Sequence, residues 1–380
     1  MDHVQYSSLQ EARAAVPDPR HARGKQLEWP FILGVIASAM LSQQRSVTAM
    51  AQWAQRHAAA LITAFQPTRR RVPSESTLRR ALWRINLPVL EQCLAQVRVL
   101  SSPAPKQTAP LHGQAVDGQH IRGAGAHGRP VQLVRLVEHG SGRVLAQTAI
   151  STKRHESRAV PTLLTGRDLS KVVITMDAGL TVPRLATHIL EQGGYYLMVV
   201  KRNQHELYEA LTWYFDSPPL LCDRPWRTSY TCTKGHGRIE CRWLSCTDDL
   251  GGYLTWPGVQ QVLRRETERT IIKTGEVTRA VTYAMTSLRA TDMSAAGLAQ
   301  LWREHWTIEN NVQYVRDVTL GEDAHQMYTG HAPAVLATIR NSLLNRLRAD
   351  GWTNMAAAFR HDTGSVRDAV QFIRAVPSRP

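Results

Sequence analysis

The sequence predicts a mixed α/β domain that follows a helical N-terminal region, and three observations lead to this fold class. Apolar residues recur at helical spacing over roughly the first hundred residues. A proline-containing segment without core residues, SSPAPKQTAP (101–110), then indicates a linker. Beyond it, strand-like runs alternate with helical ones, and a further β-rich segment (217–287) precedes more helices.

The N-terminal region, residues 1–100, is predicted to be a small helical DNA-binding domain. In TLRRALWRI (77–85) the aliphatic residues follow the spacing of a buried helix face, which leaves Arg79, Arg80 and Arg84 exposed. The preceding segment and this helix make the region basic, and a basic exposed helix is what a small DNA-binding unit presents to phosphates. A solvated helix face is the alternative interpretation.

The composition favours a folded protein that binds a polyanion. The 380 residues include 46 Lys and Arg against 31 Asp and Glu, which gives a formal net charge of +15, while 43% of the residues are hydrophobic. Nucleic acid is the polyanion that such a charge favours. A basic surface without a specific partner is the alternative.

The cysteine pattern favours a reduced cytoplasmic protein. The chain has five cysteines, an odd number, and no C-x-x-C pair. A zinc site of Cys232, His236, Cys241 and Cys246 is a weaker alternative, because its spacing matches no common ligand pattern. The longest apolar run, FILGVIASAML (31–41), is well short of the roughly 20 residues that a membrane span needs. No cationic, apolar leader opens the chain, so export is not expected.

The segment 111–216 is predicted to form three antiparallel strands followed by strand–helix–strand. Two β-rich runs joined at His139–Gly142 indicate a hairpin. The helical run SRAVPTLLTG, the buried-strand run VVITMD, a helix over Val182–Glu191 and the strand YYLMVVK follow. The β-rich segment (217–287) and a helical C-terminal part (288–380) complete the predicted order.

A polar stripe runs through HWTIENNVQYVRDV (305–318) and the turn before it. At about 100° per residue, one narrow face of a helix holds Trp302, His305, Glu309, Gln313 and Arg316. A surface helix ordinarily buries an apolar stripe, so this polar one is predicted to meet a ligand. A solvated face with a weak His–Glu pair is the alternative.

Three acids from separate parts of the chain are candidates for a metal site. Asp117 lies in the first predicted strand after the linker, Asp177 ends VVITMD, and Glu309 lies on a distant helix. Carboxylates from two strands and one helix can converge on hard divalent cations, because Mg²⁺ takes oxygen ligands. A pair of such ions activates the attacking hydroxyl and stabilises the leaving oxygen of a phosphodiester. The alternative is that Asp117 and Asp177 only shape turns.

A family resemblance rests on ordered motifs along most of the chain. AVDGQHIRG, VITMDAG, GGYYLMVVKRNQHEL, KGHGRIECR, WPGV and HWTIENNVQYVRDVTLGEDAHQ resemble, in this order, motifs of the H-repeat-associated (ISAs-type) branch of DDE insertion-sequence transposases. DPRHARGKQLEWPFIL, MAQWA and PSESTLRRAL resemble the N-terminal region associated with that branch. The resemblance covers about residues 16–345.

The resemblance implies an RNase H-like catalytic core with a mainly β insertion between its second and third acids. Asp117, Asp177 and Glu309 match the three metal-binding acids, which implies two Mg²⁺ (or Mn²⁺) ions per active site. Trp302, His305, Glu309 and Arg316 stand at the four places of the broader group's Tyr-x2-Arg-x3-Glu-x6-Lys signature. Departures from the branch include Gln119 after the first Asp-Gly, and Gln313 with Tyr314 in place of a His-Trp pair.

The residues expected to contact DNA come from the basic helix, from the matched motifs and from the Glu309 segment. Lys201, Asn203 and Gln204 match a K-x-N-Q element, and Lys153 with Glu156 matches a K-x-N-E element that has His155 in the Asn position. The full expected set is Arg79, Arg80, Arg84, Arg122, Lys153, Lys201, Asn203, Gln204, His305, Trp306 and Arg316.

Glu309 is the expected third ligand among four neighbouring acids, because it shares a helix face with groups that could grip DNA. Asp317 is rotated from it by about 80° and Glu322 by about 140° on a continuous helix. Asp317 is therefore expected to hold structure, and Glu322 with Asp323 to cap or pair near the helix end.

The leading hypothesis is a bacterial DNA transposase that acts in the cytoplasm at the nucleoid. It would hydrolyse phosphodiesters at the element's ends and transfer the freed 3′-hydroxyls into target DNA. Its partner would be double-stranded DNA, both transposon ends and target, and it would form a homodimer when assembled on DNA. The alternatives are a domesticated DNA-binding protein without catalysis and a metal-dependent nuclease. The sequence offers no positioned nucleophile with an Arg/His cluster, which a tyrosine or serine recombinase would need.

Overall fold

A computed structural model of the chain shows a helical N-terminal region followed by a mixed α/β part, as the sequence predicts. It describes residues 5–97, 111–121, 131–150, 152, 155–217, 226–250, 253–306, 308–324, 330–362 and 365–375. The predicted linker and two of the expected DNA contacts, Arg122 and Lys153, lie outside these described residues.

Within residues 5–97 the chain forms six α-helices. They are α1 (Leu9–Ala14), α2 (Trp29–Leu41), α3 (Val47–Arg56), α4 (Ala58–Phe65), α5 (Glu75–Arg84) and α6 (Leu87–Ala95). The second helix is apolar on every side and is buried along almost its whole length, so it forms the centre of the helical core. In α5 the aliphatic face is buried and the three arginines are exposed, which confirms the predicted orientation of this helix.

The described strands form one mixed sheet of nine members. They are β1 (His112–Ile121), β2 (Val131–Glu138), β3 (Val144–Ile150), β4 (Val172–Met176), β5 (Tyr195–Val200), β6 (Arg227–Gly235), β7 (Arg238–Thr247), β8 (Gln261–Ile271) and β9 (Val277–Thr286). Their spatial order is β3-β2-β1-β4-β5-β9-β8-β7-β6. The pairs β1–β4 and β4–β5 are parallel, and the other neighbouring pairs are antiparallel. The β3-β2-β1-β4-β5 half confirms the expected RNase H-like sheet.

The predicted β-rich segment supplies β6 to β9. These strands lie between Asp177 and Glu309 in the sequence, where the resemblance implies an insertion. They do not form a separate sheet, because β9 pairs with β5 from Leu197↔Thr286 to Val200↔Tyr283 and so extends the core sheet.

Helices cover the two faces of the sheet. The back face carries α7 (Glu156–Leu164), α8 (Pro183–Glu191) and α9 (His205–Asp216). The front face carries α10 (Ala295–Glu304), two π-helical segments and α11 (Ala332–Ala349). Because alternate strand residues face opposite sides, the packing partners of each strand assign every side chain to one face.

The C-terminal helices pack with the N-terminal ones. Buried residues of α11, α12 (Met355–Asp362) and α13 (Val366–Arg374) belong to the same hydrophobic cluster as those of α1 to α6. The helix α11 also contacts β2 and β3, so it joins the helical core to the sheet. The proposed domain limits (1–100, 111–216, 217–287 and 288–380) therefore stay a prediction, and this shared core crosses them.

The segment around Glu309 is not the continuous α-helix that the sequence predicts. The helix α10 ends at Glu304, and the chain continues as two π-helical segments, π1 (Ile308–Gln313) and π2 (Val315–Thr319). Because i→i+5 bonding widens each turn, successive side chains no longer advance by about 100°. The predicted polar stripe is therefore wrong. Trp302 and Arg316 are buried, whereas Glu309 is exposed.

The cysteines depart from the expected set of free thiols. Cys232 and Cys241 are opposite residues of β6 and β7 and form a disulfide. Cys246 lies five residues beyond Cys241 on β7, so its buried side chain faces the other side of the sheet. The alternative zinc site is therefore excluded, because its cysteines are divided between a disulfide and the opposite face. No helix among the described residues is long and apolar enough to cross a membrane.

Candidate active site

Asp117 and Asp177 lie beside each other on two adjacent parallel strands, Asp117 in the middle of β1 and Asp177 directly after β4. The β1–β4 pairing aligns Val116 with Met176, and each aspartate is the next residue. Ala115, two residues before Asp117, packs on the front face against π1, so Asp117 also projects to the front face. The predicted strand positions thus bring two acids to one edge of the core.

The pKa of Asp117 reflects the charges of the two other acids. Burial, the charge of Asp177 and, to a smaller extent, that of Glu309 together raise the pKa of Asp117 to about 6. Two donors oppose this shift, because the Gly118 N–H and the Gln313 side-chain amide each donate to the carboxylate at 2.8 Å. These two hydrogen bonds thus hold the carboxylate in place.

Asp177 begins a tight loop that its own carboxylate organises. Its Oδ1 accepts from the backbone N–H groups of Gly179 (3.0 Å) and Leu180 (3.2 Å). The Asn203 amide donates to the carbonyl of Ala178 at 2.7 Å, and the Gln204 amide donates to the carbonyl of Thr181 at 2.8 Å. These two side chains therefore hold the Asp177 loop.

This arrangement gives the K-x-N-Q element a structural role. The side chains of Asn203 and Gln204 each donate to a backbone carbonyl, and their expected contact with DNA stays a prediction. Lys201 is exposed, and its expected contact with DNA stays a prediction.

Glu309 reaches the site from π1. Ile308 and Val312 are fully buried against β1, β2 and β3, and these anchors leave the intervening Glu309 exposed. One turn further, Gln313 binds Asp117. Gln313 was expected on the polar stripe and as a departure from the family pattern, but its bond to Asp117 was not predicted.

The three acids fit a hard divalent cation by donor chemistry, because all of them supply carboxylate oxygens. Their mutual repulsion, which raises the pKa of Asp117, is also what a cation would relieve. In the part of the chain that the structure describes, no three His, Cys, Asp or Glu side chains are positioned to hold a metal ion. The carboxylates would therefore have to draw closer together when a cation binds.

The rival acid Glu322 is unavailable to a metal. It is fully buried and accepts two bonds from Arg316 (2.5 and 2.6 Å) and one from Arg340 (2.7 Å). Burial alone would raise the pKa of Glu322, but the charges of Arg316, Arg340 and Arg135 hold it well below its usual range. Pairing of Glu322 was expected, although its partners are arginines.

Arg316 was expected to contact DNA, and this expectation is wrong. Its side chain is fully buried, where it pairs with Glu322 and donates to Asn341. A guanidinium enclosed in this way cannot reach a phosphate.

His305 also departs from its expected role as a DNA-gripping cation. Its Nδ1 lies 2.9 Å from the Thr175 hydroxyl, whose oxygen is also 2.9 Å from His139 Nε2. Burial lowers the pKa of His305 to about 4 and that of His139 to about 3, so both rings are neutral near pH 7. His305 therefore joins α10 to β4, and no local sequence pattern indicates this contact among three residues.

Besides Lys201, four further expected DNA contacts are accessible in the structure. Trp306, beside the acids in sequence, is 51% exposed. Arg79, Arg80 and Arg84 are exposed on α5, where Arg79 also pairs with Glu75 at 2.7 Å. Their contact with DNA stays a prediction.

Family models match most of the chain in two adjoining parts. Residues 107–346 match the model described as "Transposase DDE domain", and residues 11–97 match the model described as "DDE_Tnp_1-associated". The chain belongs to the DDE transposase family. The catalytic-domain match includes Asp117, Asp177 and Glu309.

Curated relatives place this DDE transposase in the H-repeat-associated branch. H repeat-associated YhhI of Escherichia coli (strain K12) is 30% identical over 62% of this chain and 64% of its own length. YbfL of the same strain is 26% identical over 91% of this chain and 92% of its own. The chain thus spans about three fifths of the length of YhhI. A solved synaptic complex of piggyBac transposase with hairpin DNA aligns with 97% of this chain and 75% of its own, at a TM-score of 0.45 and 8% identity.

Proposed function

We propose that this DDE transposase hydrolyses phosphodiester bonds at the ends of an insertion sequence and transfers the resulting 3′-hydroxyls into target DNA. The observation that supports it most is that Asp117 and Asp177 lie beside each other on adjacent parallel strands, with Glu309 near enough for its charge to act on Asp117. The partner is double-stranded DNA, first the transposon end and then the target. The protein acts as a homodimer on DNA in the bacterial cytoplasm, at the nucleoid.

Asp117, Asp177 and Glu309 would hold two Mg²⁺ or Mn²⁺ ions. When bound, such ions supply a deprotonated nucleophile near neutral pH and stabilise the leaving oxygen of the phosphodiester. The protein's own groups fix the acids, because the Gly118 N–H and Gln313 orient Asp117 while Asn203 and Gln204 hold the Asp177 loop. No protein nucleophile is required.

The remaining groups position DNA. Arg79, Arg80 and Arg84 present three exposed guanidinium groups to phosphates. The exposed indole of Trp306 offers a surface on which a base at the cleaved end can stack.

The direct test is cleavage of a labelled duplex that carries the inverted repeat bordering this gene. We expect cleavage and joining with Mg²⁺ or Mn²⁺, and binding without cleavage in Ca²⁺ or excess chelator, since an all-carboxylate site needs hard cations of suitable geometry. Binding without cleavage under every metal condition would indicate a domesticated DNA-binding protein. Cleavage without joining would indicate a nuclease, and full cleavage in chelator would overturn the metal mechanism.

A further inference from the structure

The strands added to the core sheet carry a row of arginines on the front face. Arg238 and Arg242 on β7 and Arg265 and Arg269 on β8 lie on this face, because they alternate with residues that face the back. The same strands pack Leu244 and Leu263 against α10, which fixes the assignment. We call these four arginines the arginine strip.

The arginine strip is linked to the catalytic acids through α10. The guanidinium of Arg265 stacks on Trp302 of α10, with 4.2 Å between its central carbon and the ring centroid. Three residues after Trp302, His305 contacts Thr175, which lies two residues before Asp177. From Arg265 the strip runs four residues along β8 to Arg269, a distance of about 13 Å at strand spacing. This length corresponds to about four base pairs of duplex.

The positive charge of the strip is only partly neutralised. A single acid, Glu240, pairs with Arg242 (2.9 Å), Arg269 (3.3 Å) and Arg238 (3.5 Å). Arg238 and Arg269 still expose 44% and 43% of their side chains.

On the back face of the same strands, arginines and acids are present in equal number in the ion pairs. There Arg279 pairs with Glu268 at 2.8 Å, and Arg264 pairs with Glu266, so each arginine has its own acid. Fold stability alone does not require the excess on the front face, because the back of the same sheet pairs its charges one to one. The excess arginines instead complement a polyanion.

The position of the strip indicates which part of the DNA it meets. The N-terminal helices join the sheet through α6 and α11, which contact β3. Asp117 lies on β1 and Asp177 follows β4, whereas the arginine strip lies on β7 and β8. Along the sheet, these acids therefore stand between the N-terminal helices and the arginine strip. A duplex whose element end is held by the N-terminal helices would cross the acids before reaching the strip.

We infer that the arginine strip binds the phosphate backbone of the duplex that flanks the cleaved bond, on the side away from the N-terminal helices. This inference rests on the proposed function, because it takes the acids as the place of cleavage. Arginine suits the role, since its charge is permanent and its planar fork donates two bonds to one phosphate.

The test compares two duplexes that carry the same element end, one stopping at the cleaved bond and one continuing about 15 base pairs (~1.5 helical turns) into the flank. For the parental protein in Ca²⁺ we expect tighter binding of the longer duplex. For Arg238→Ala/Arg269→Ala we expect this advantage to disappear. The salt dependence on the longer duplex should fall by about 0.9 in log–log slope per lost phosphate contact. Arg279→Ala is the matched control, since it removes an exposed, paired arginine from the back face and should leave the advantage intact.

A second variant tests the inference in the opposite direction. Glu240→Gln removes the one acid that neutralises three of the four strip arginines, so the longer duplex should bind more tightly and with a steeper salt dependence. An unchanged preference for the longer duplex in Arg238→Ala/Arg269→Ala would overturn the inference, as would a parental protein that binds both duplexes equally. Failure of the proposed function would appear separately, as the absence of cleavage or joining by the parental protein in Mg²⁺ and Mn²⁺, or as equal binding of the element end and a scrambled sequence by every variant.

Discussion

Two groups of charged side chains on the front face differ in how the charge of their carboxylates is compensated. The first group is Asp117, Asp177 and Glu309, and the second is Glu322 with its arginines. Asp117, Asp177 and Glu309 repel one another, and burial together with that repulsion raises the pKa of Asp117 to about 6. Glu322, thirteen residues after Glu309, is surrounded by arginines that hold its pKa well below the usual range despite its complete burial. The comparison shows that the placement of arginines, more than proximity in sequence, decides which acid can accept a cation.

The arginines around Glu322 form a fixed junction. Arg316 comes from π2, Arg135 from β2 and Arg340 from α11, so one buried acid ties three elements together. Burial and the neighbouring charge of Arg316 together lower the pKa of Arg135 to about 9. Three guanidinium groups around one carboxylate make this junction depend strongly on Glu322.

The largest effect on cleavage should follow from removing one charge from the group of Asp117, Asp177 and Glu309. Asp117→Asn, Asp177→Asn and Glu309→Gln should each reduce cleavage by about 10⁴-fold, the scale seen when one member of a catalytic unit is lost. Thermal melting and DNA binding should stay close to parental, because these acids repel one another in the folded state. Asp317→Asn, whose parent side chain accepts from Gln119 at 3.1 Å, is the control and should keep measurable cleavage. Near-parental cleavage by Glu309→Gln would remove the proposed third ligand.

The second group should respond in folding rather than in chemistry. Glu322→Gln leaves buried arginines without their acid and should lower the free energy of unfolding by about 3–5 kcal/mol. Denaturant titration measures this loss, and cleavage by the remaining folded protein should persist. A stable Glu322→Gln variant that binds DNA but does not cleave it would reverse the assignment of the two groups.

The sequence could predict the parts of this comparison that depend on periodicity. Alternating strands, the hairpin at His139–Gly142, the place of Asp117 within a strand and that of Asp177 at a strand end all follow from local patterns. The arginine junction does not, because its members come together only when the sheet and helices pack. Arg316 was predicted to contact DNA because its buried partners could not be identified from local patterns. The prediction also assumed an advance of about 100° per residue, which the π-helical segment π2 does not follow.

Loss of the side chains that position the Asp177 loop should have a smaller effect on cleavage than loss of the acids themselves. Asn203→Ala and Gln204→Ala each remove one bond to the Asp177 loop and should lower cleavage by about 10–100-fold, the usual scale for a residue that supports a metal ligand. The cleavage reaction should also need a higher Mg²⁺ concentration. Gln204→Glu keeps the side-chain length but removes the donor, so it should not restore activity. A loss of DNA affinity at unchanged metal requirement would return these residues to the DNA-contact role.

The smallest effect concerns Glu91 on α6, a third buried carboxylate that the arginines do not reach. It accepts from the Thr338 hydroxyl at 3.2 Å, and burial raises its pKa to about 7 because only hydrogen bonds from Thr338 and Gln147 oppose the shift. The folded state therefore keeps a proton that the unfolded state loses near pH 4.5, so stability falls as the pH rises from about 4.5 to 7. Glu91→Gln keeps the group neutral and should stabilise the protein by about 1–2 kcal/mol at pH 8 while changing little at pH 4.5. Melting curves of both proteins across this range measure the difference, and parallel curves would show that Glu91 carries the same charge in the folded and unfolded states.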